Sequence, residues 1–310
     1  MSLVEIALKK MQARSAHDSL REPSSDASAG QPRAASRLGR GVVGELVDVT
    51  SHRDSQALAN VPRHRTDKLI RIDRHALRSE GLLPPEHQER ALADEYRQIK
   101  RPLIAQAFGR GREKAPNGQL IMMASAMPGE GKTFTSINLA LSIALEKDVS
   151  VLLVDADVAK PHVSQTFGVA DEPGLLDLLR DEALGLESSI VPTDVPGLCI
   201  LPAGRRSDTA TEFLASQRMG QIAQNIASQD ESRIVLIDSS PLLLTSESRA
   251  LAQSVGHVVI VVRAGFTPQQ AVLDAIAHLG EEKAISLILN QSVLPSTSSY
   301  YYGYGETVSS

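Results

Sequence analysis

The sequence predicts an α/β fold, a doubly wound and mostly parallel sheet with helices on both faces. Three observations predict it. Leu120 to Ala124, Val151 to Val154 and Ile234 to Ile237 are unbroken apolar runs, the pattern of strands covered on both sides, where half-exposed strands would alternate. Helical stretches separate several of these runs and the later ones at Val258 to Val262 and Ile285 to Leu289. The first run feeds the glycine-bearing loop Ser125-Ala126-Met127-Pro128-Gly129-Glu130-Gly131-Lys132-Thr133, a strand-to-helix turn of the phosphate-binding kind.

Taken in chain order, Leu3 to Met11 has the spacing of a short amphipathic helix. Residues 13 to 66 are rich in Ser, Ala, Arg and Gly, so 1–66 is expected to be a mostly disordered N-terminal segment. Asp67 to Pro85 reads as a short strand or turn, leading into a helix over 86–107. Leu120, Val149, Leu198, Ile234, Val258 and Ile285 then mark six strands, and 67–290 is expected to form one domain. Residues 291–310 are a polar tail. Its Ser, Thr and Gly bury little, yet Tyr300, Tyr301, Tyr302 and Tyr304 lie there, four of the chain's five tyrosines.

The loop identifies a P-loop NTPase and hence a nucleoside triphosphate site. The backbone of Pro128, Gly129, Glu130 and Gly131 can converge on phosphate, Lys132 supplies a point charge, and the Thr133 hydroxyl can ligate Mg²⁺. Ala126 replaces the first glycine of the general G-x-x-x-x-G-K-[ST] pattern. Two acidic strand ends complete the set: Val151 to Val154 ends in Asp155-Ala156-Asp157, and Ile234 to Ile237 ends in Asp238. In an open α/β sheet ligands gather at the carboxyl ends of the strands, so three carboxylates and the loop meet at one edge. One or two carboxylates can hold hydrated Mg²⁺, and a spare one can take a proton.

Related partition and septum-placement ATPases carry a second lysine in the loop, where this chain has Met127. The loop instead resembles the P-G-E-G-K-[ST] form of the bacterial tyrosine kinases of capsule and exopolysaccharide synthesis. Asp155-Ala156-Asp157 matches their D-x-D motif and Asp238 their third acidic motif, with Asp238-Ser239-Ser240-Pro241 in place of D-T-P-P. Their basic residue at the fourth position after the first Asp is Ala159 here, beside Lys160. The pairing of Asp155 to Pro161 with Glu95 to Pro102 is most like the stand-alone, exosortase-associated type.

The resemblance, over residues 86 to 310, implies ATP and Mg²⁺ as cofactors and autophosphorylation of Tyr300, Tyr301, Tyr302 and Tyr304 by a neighbouring subunit. It implies Lys132, Asp155 and Asp157 as catalytic residues, with Asp155 taking the tyrosine proton unless the two carboxylates exchange roles. Thr133, Asp157 and Asp238 would organise the metal. Asn290 matches the position from which related ATPases contact adenine, and equally suits a turn after a strand. Asp94, Arg97 and Lys100 occupy an E-x-x-R-x-x-R helix used for ring contacts; spaced by three, they also suit a solvated helix face. A homo-oligomer and a membrane-embedded polysaccharide co-polymerase are the implied partners, with the chain on the cytoplasmic face of the membrane. A positioning ATPase without kinase activity is the alternative, opposed by Met127 and the tyrosine tail.

Composition fits. No apolar run approaches the ~20 residues that span a bilayer. No secretory h-region opens the chain, and Cys199, the only cysteine, allows no internal disulfide. A net charge of −5 argues against a general nucleic-acid binder. His162 and His257 lack neighbours at metal-ligand spacing, and Ser239 and Ser240 lack a nucleophile elbow.

Overall fold

The computed structural model describes residues 69–109, 116–280 and 283–292, so the N-terminal segment and the tyrosine cluster lie outside the described residues. Among the described residues seven strands form one sheet. They are β1 (Leu120–Ser125), β2 (Ser150–Asp155), β3 (Val191–Pro192), β4 (Leu198–Leu201), β5 (Arg233–Asp238), β6 (His257–Arg263) and β7 (Ala284–Asn290). Their spatial order is β3-β4-β2-β5-β1-β6-β7. Every neighbouring pair is parallel except β3 with β4.

The continuous apolar runs reflect burial on both faces. Ile121 and Met123 of β1 join a core cluster with residues of two helices, α2 (Glu86–Ala107) and α3 (Lys132–Ile143). Leu120 and Met122, pointing the other way, are equally inaccessible at 0% exposure. That second face is covered in part by Gln217–Gln229, whose Met219, Ile222 and Ile226 are buried. Truncating a strand residue such as Leu153 to Ala would cost about 2–5 kcal/mol, since the packed surroundings close the hole only partly.

Six strands stand where the apolar runs put them, and α2 spans 86–107 as expected. The structure adds β3, a two-residue edge strand. It also revises the region before α2. Ile70 makes one isolated bridge to Thr193, but the chain then turns into a helix, α1 (Arg74–Ser79), because the Asp73 side chain accepts from the His75 and Ala76 N–H groups.

Helix α2 lies along α3. Buried Lys100, 4% exposed, donates its ammonium to the Ser142 carbonyl at 2.6 Å and pairs with Glu146 at 2.7 Å, supplying a cation and a donor where α3 ends. About one turn earlier, the buried Tyr96 hydroxyl pairs with the Thr135 side chain near the start of α3. Asp94 and Arg97 are exposed and pair with each other. The three charges expected on one helix face therefore divide, with Lys100 turned inward.

Candidate active site

The phosphate-binding loop begins where β1 ends and α3 starts. Gly129 and Gly131 have φ of 78° and 86°, the left-handed region that side chains resist. At Gly131 space is a second constraint, because a Cβ there would stand 2.1 Å from Asn290 Nδ2. Pro128 and Gly129 form the exposed crest. Glu130 points the other way: it is 1% exposed, its Oε2 accepts the Met127 N–H at 2.7 Å, and its Oε1 accepts the Thr267 hydroxyl. Its carboxylate thus braces the loop from inside and leaves only its backbone for a ligand. Asn290 braces it from β7, donating Nδ2 to the Glu130 carbonyl at 2.9 Å while its Oδ1 accepts the Gln291 N–H.

Behind the loop, at the end of β5, Asp238 is the hub. It is 1% exposed, and its Oδ2 accepts the Thr133 hydroxyl at 2.8 Å. Its Oδ1 accepts the Ser136 hydroxyl at 2.8 Å and faces Lys132 Nζ at 3.4 Å. Lys132 is 8% exposed, so this is a buried charge pair that two hydroxyls also satisfy. The sequence offers no mark for Ser136 beyond its position one turn after Lys132. Thr133 and Asp238 present hard oxygens side by side, a donor set that fits Mg²⁺ shared with phosphate.

The D-x-D segment follows β2, next to β5. Asp155 is 0% exposed and its oxygens are occupied: Oδ2 accepts both the N–H and the hydroxyl of Ser164 at 2.7 Å each, and Oδ1 accepts the Asp157 N–H at 3.2 Å. Burial pushes its carboxyl up to about 7, although the Ser164 bonds favour the charged form. Asp157 is only half-buried, and its Oδ1 accepts the Lys160 N–H at 3.2 Å. Burial raises its carboxyl as well, while the Lys132 charge pulls it back down. Of the two, Asp157 is the carboxylate open to an entering group. A triphosphate on the loop would have its terminal phosphate between Lys132, Asp238 and this segment.

The AAA domain family matches residues 118–288. EpsB of Ralstonia nicotianae is 33% identical over 187 residues, 60% of this chain and 24% of EpsB. The tyrosine-protein kinase YwqD of Bacillus subtilis is 30% identical over 186 residues, 59% of this chain and 77% of YwqD. The solved kinase domain of the Escherichia coli tyrosine kinase Etk superposes with a TM-score of 0.57 at 28% identity, covering 68% of this chain and 80% of that one. The chain belongs to the bacterial tyrosine kinase family. It spans about a quarter of the length of EpsB and about three quarters of YwqD.

In this bacterial tyrosine kinase domain the fold brings together Lys132, Thr133, Asp155, Asp157 and Asp238 at the carboxyl edge of β1, β2 and β5. Asn290 reaches the loop from β7, and Tyr300, Tyr301, Tyr302 and Tyr304 lie outside the described residues. Ser239 and Ser240 are structural: Ser239 Oγ donates to the Met123 carbonyl and Ser240 Oγ bonds Thr245. His257 is buried between strands, its Nε2 2.9 Å from Ser286 Oγ. Ser164 and Thr267 escape sequence reading, because what assigns them is the partner each one meets across the fold.

Proposed function

We propose that this chain is an ATP-dependent protein-tyrosine autokinase. It phosphorylates Tyr300, Tyr301, Tyr302 and Tyr304 of a neighbouring copy and thereby regulates exopolysaccharide polymerisation and export. The observation that carries this reading is Asp238 holding Lys132 and Thr133 together beneath the loop, with the D-x-D carboxylates on the adjoining strand. The names of the relatives support it, since YwqD and Etk are tyrosine-protein kinases.

The loop N–H groups and Lys132 bind and orient the triphosphate, and Thr133 with Asp238 would hold Mg²⁺. When bound, Mg²⁺ neutralises phosphate charge. The tyrosine oxygen forms a bond to the γ-phosphorus as the bond to the β–γ bridging oxygen breaks, leaving ADP. The phenolic proton goes to the D-x-D pair. Asp157, the more open member, receives it, and Asp155 fixes the segment through Ser164. Self-association, as a ring, brings a tail to a neighbour's site. A membrane-embedded polysaccharide co-polymerase is the activating partner and places the chain at the cytoplasmic face of the membrane.

Incubating purified chain with ATP and Mg²⁺ and mapping phosphotyrosine by mass spectrometry tests the reading. Label on the tail tyrosines that disappears in Lys132→Met is expected. ATP turnover with no phosphotyrosine would overturn it in favour of a positioning ATPase.

A further inference from the structure

We infer that the turn after β6 carries the base-binding face of the nucleotide site, with Phe266 as a stacking platform for the purine ring and Arg263 as its backing. The inference rests on the nucleotide reading above and adds the residue that would make the site select a nucleotide over a bare phosphate chain. Direction comes first. In the order β2-β5-β1-β6-β7 the acidic residues Asp155, Asp157 and Asp238 all lie on the β2 and β5 flank of the loop, so the terminal phosphate belongs there. The uncharged end of the same ligand is then directed to the opposite flank, over β6 and β7.

That flank holds an aromatic ring out of place in a core. Phe266 is 51% exposed in a chain with only five phenylalanines. The Arg263 guanidinium stands 4.7 Å from its ring centroid, covering one face and leaving the other available. An aromatic with one face backed by a cation is suited to a heteroaromatic base, because every base offers a π-face.

Phe266 is also held at a fixed distance from the phosphate loop. Its N–H donates to the Arg263 carbonyl at 3.2 Å, and the Thr267 N–H to the same carbonyl at 3.0 Å. The Thr267 hydroxyl bonds Glu130 inside the loop and accepts the Arg263 N–H at 3.0 Å. The Ala264 N–H donates to the Asn290 carbonyl at 2.9 Å, and Asn290 Nδ2 bonds the loop. Two separate ties therefore join the platform to the phosphate cradle, the preorganisation that a ligand spanning both requires.

The test is equilibrium binding of ATP and of inorganic tripolyphosphate, with Mg²⁺, to the full chain and to Phe266→Ala and Phe266→Tyr. Phe266→Ala is expected to weaken ATP roughly 5- to 150-fold, the range for losing one base stack, and to leave tripolyphosphate unchanged. Phe266→Tyr restores ATP binding. Three results would overturn the inference while leaving the nucleotide reading intact: unchanged ATP affinity in Phe266→Ala, equal weakening of both ligands, or a wild type that binds the two equally. A wild type that binds neither ligand removes the nucleotide reading itself, and the platform with it. Circular dichroism of each variant establishes that the fold is retained, as expected for an exposed side chain.

Discussion

Ser164 gives both its N–H and its hydroxyl to the same oxygen of Asp155, each at 2.7 Å. The pair sets the ionisation of a carboxyl that burial pushes up to about 7, well above its ordinary 3.8. Autophosphorylation is expected to rise with pH through about 7, as Asp155 becomes the carboxylate that Ser164 can hold. Because the Ser164 hydroxyl favours that carboxylate, Ser164→Ala should move the midpoint of the pH profile upward. A rate lowered equally at every pH would assign Ser164 a packing role only.

The same residue makes a prediction for stability. With its folded pKa raised, Asp155 holds an extra proton in the native state between about pH 4 and 7, so its contribution falls as pH rises across that window and is constant above it. Asp155→Asn should flatten this slope in urea titrations at pH 5, 6 and 7.5. A slope equal to wild type's would place the proton elsewhere.

Lys132→Met should abolish phosphotyrosine and also destabilise the fold, because it leaves buried Asp238 without its cation. Losing one partner of a buried pair costs about 3–5 kcal/mol, and the Thr133 and Ser136 hydroxyls should hold the loss to the lower end of that range. Adding Asp238→Asn to Lys132→Met is expected to recover stability and no activity. Recovery of activity would remove Lys132 from the chemistry.

Transfer between copies is testable by mixing. A Lys132→Met chain with its tail intact should become labelled when incubated with an active chain whose Tyr300, Tyr301, Tyr302 and Tyr304 are Phe. Absence of label, where wild type labels itself, would establish transfer within one chain.

His257 is buried, its Nδ1 has no partner among the described residues, and burial pushes its pKa down to about 4. The unfolded chain binds this proton near 6.5 and the folded one does not, so stability is lost as pH falls from about 6.5 toward 4. His257→Leu should lose less melting temperature than wild type between pH 7.5 and 5. A parallel loss in both proteins would show that His257 does not drive the acid response.

The strands were legible because parallel strands covered on both faces leave continuous apolar runs, and the convergence of Lys132, Thr133 and the three Asp residues was legible because short local patterns mark them at strand ends that share one sheet edge. What stayed hidden depends on contacts between distant residues. The two-residue β3 exists through pairing with β4 and the approach of Ile70, which no local period announces. Helix α1 hangs on one side-chain cap at Asp73. Spacing put Lys100 on a charged face, but the carbonyl at the end of α3 and Glu146 drew it inward. Glu130 looks like a ligand residue in its motif and is turned away by Thr267, a residue 137 positions later.

The two contacts between α2 and α3 have a mechanical consequence. Tyr96 grips α3 in its first turn, at Thr135, and Lys100 grips its far end. Helix α2 and the phosphate-bearing helix are thereby fastened as one stiff lever, with Lys132 at one end and the outward pair Asp94 and Arg97 riding on its back. Any displacement of α3 would therefore move α2 with it, and with α2 the exposed Asp94 and Arg97.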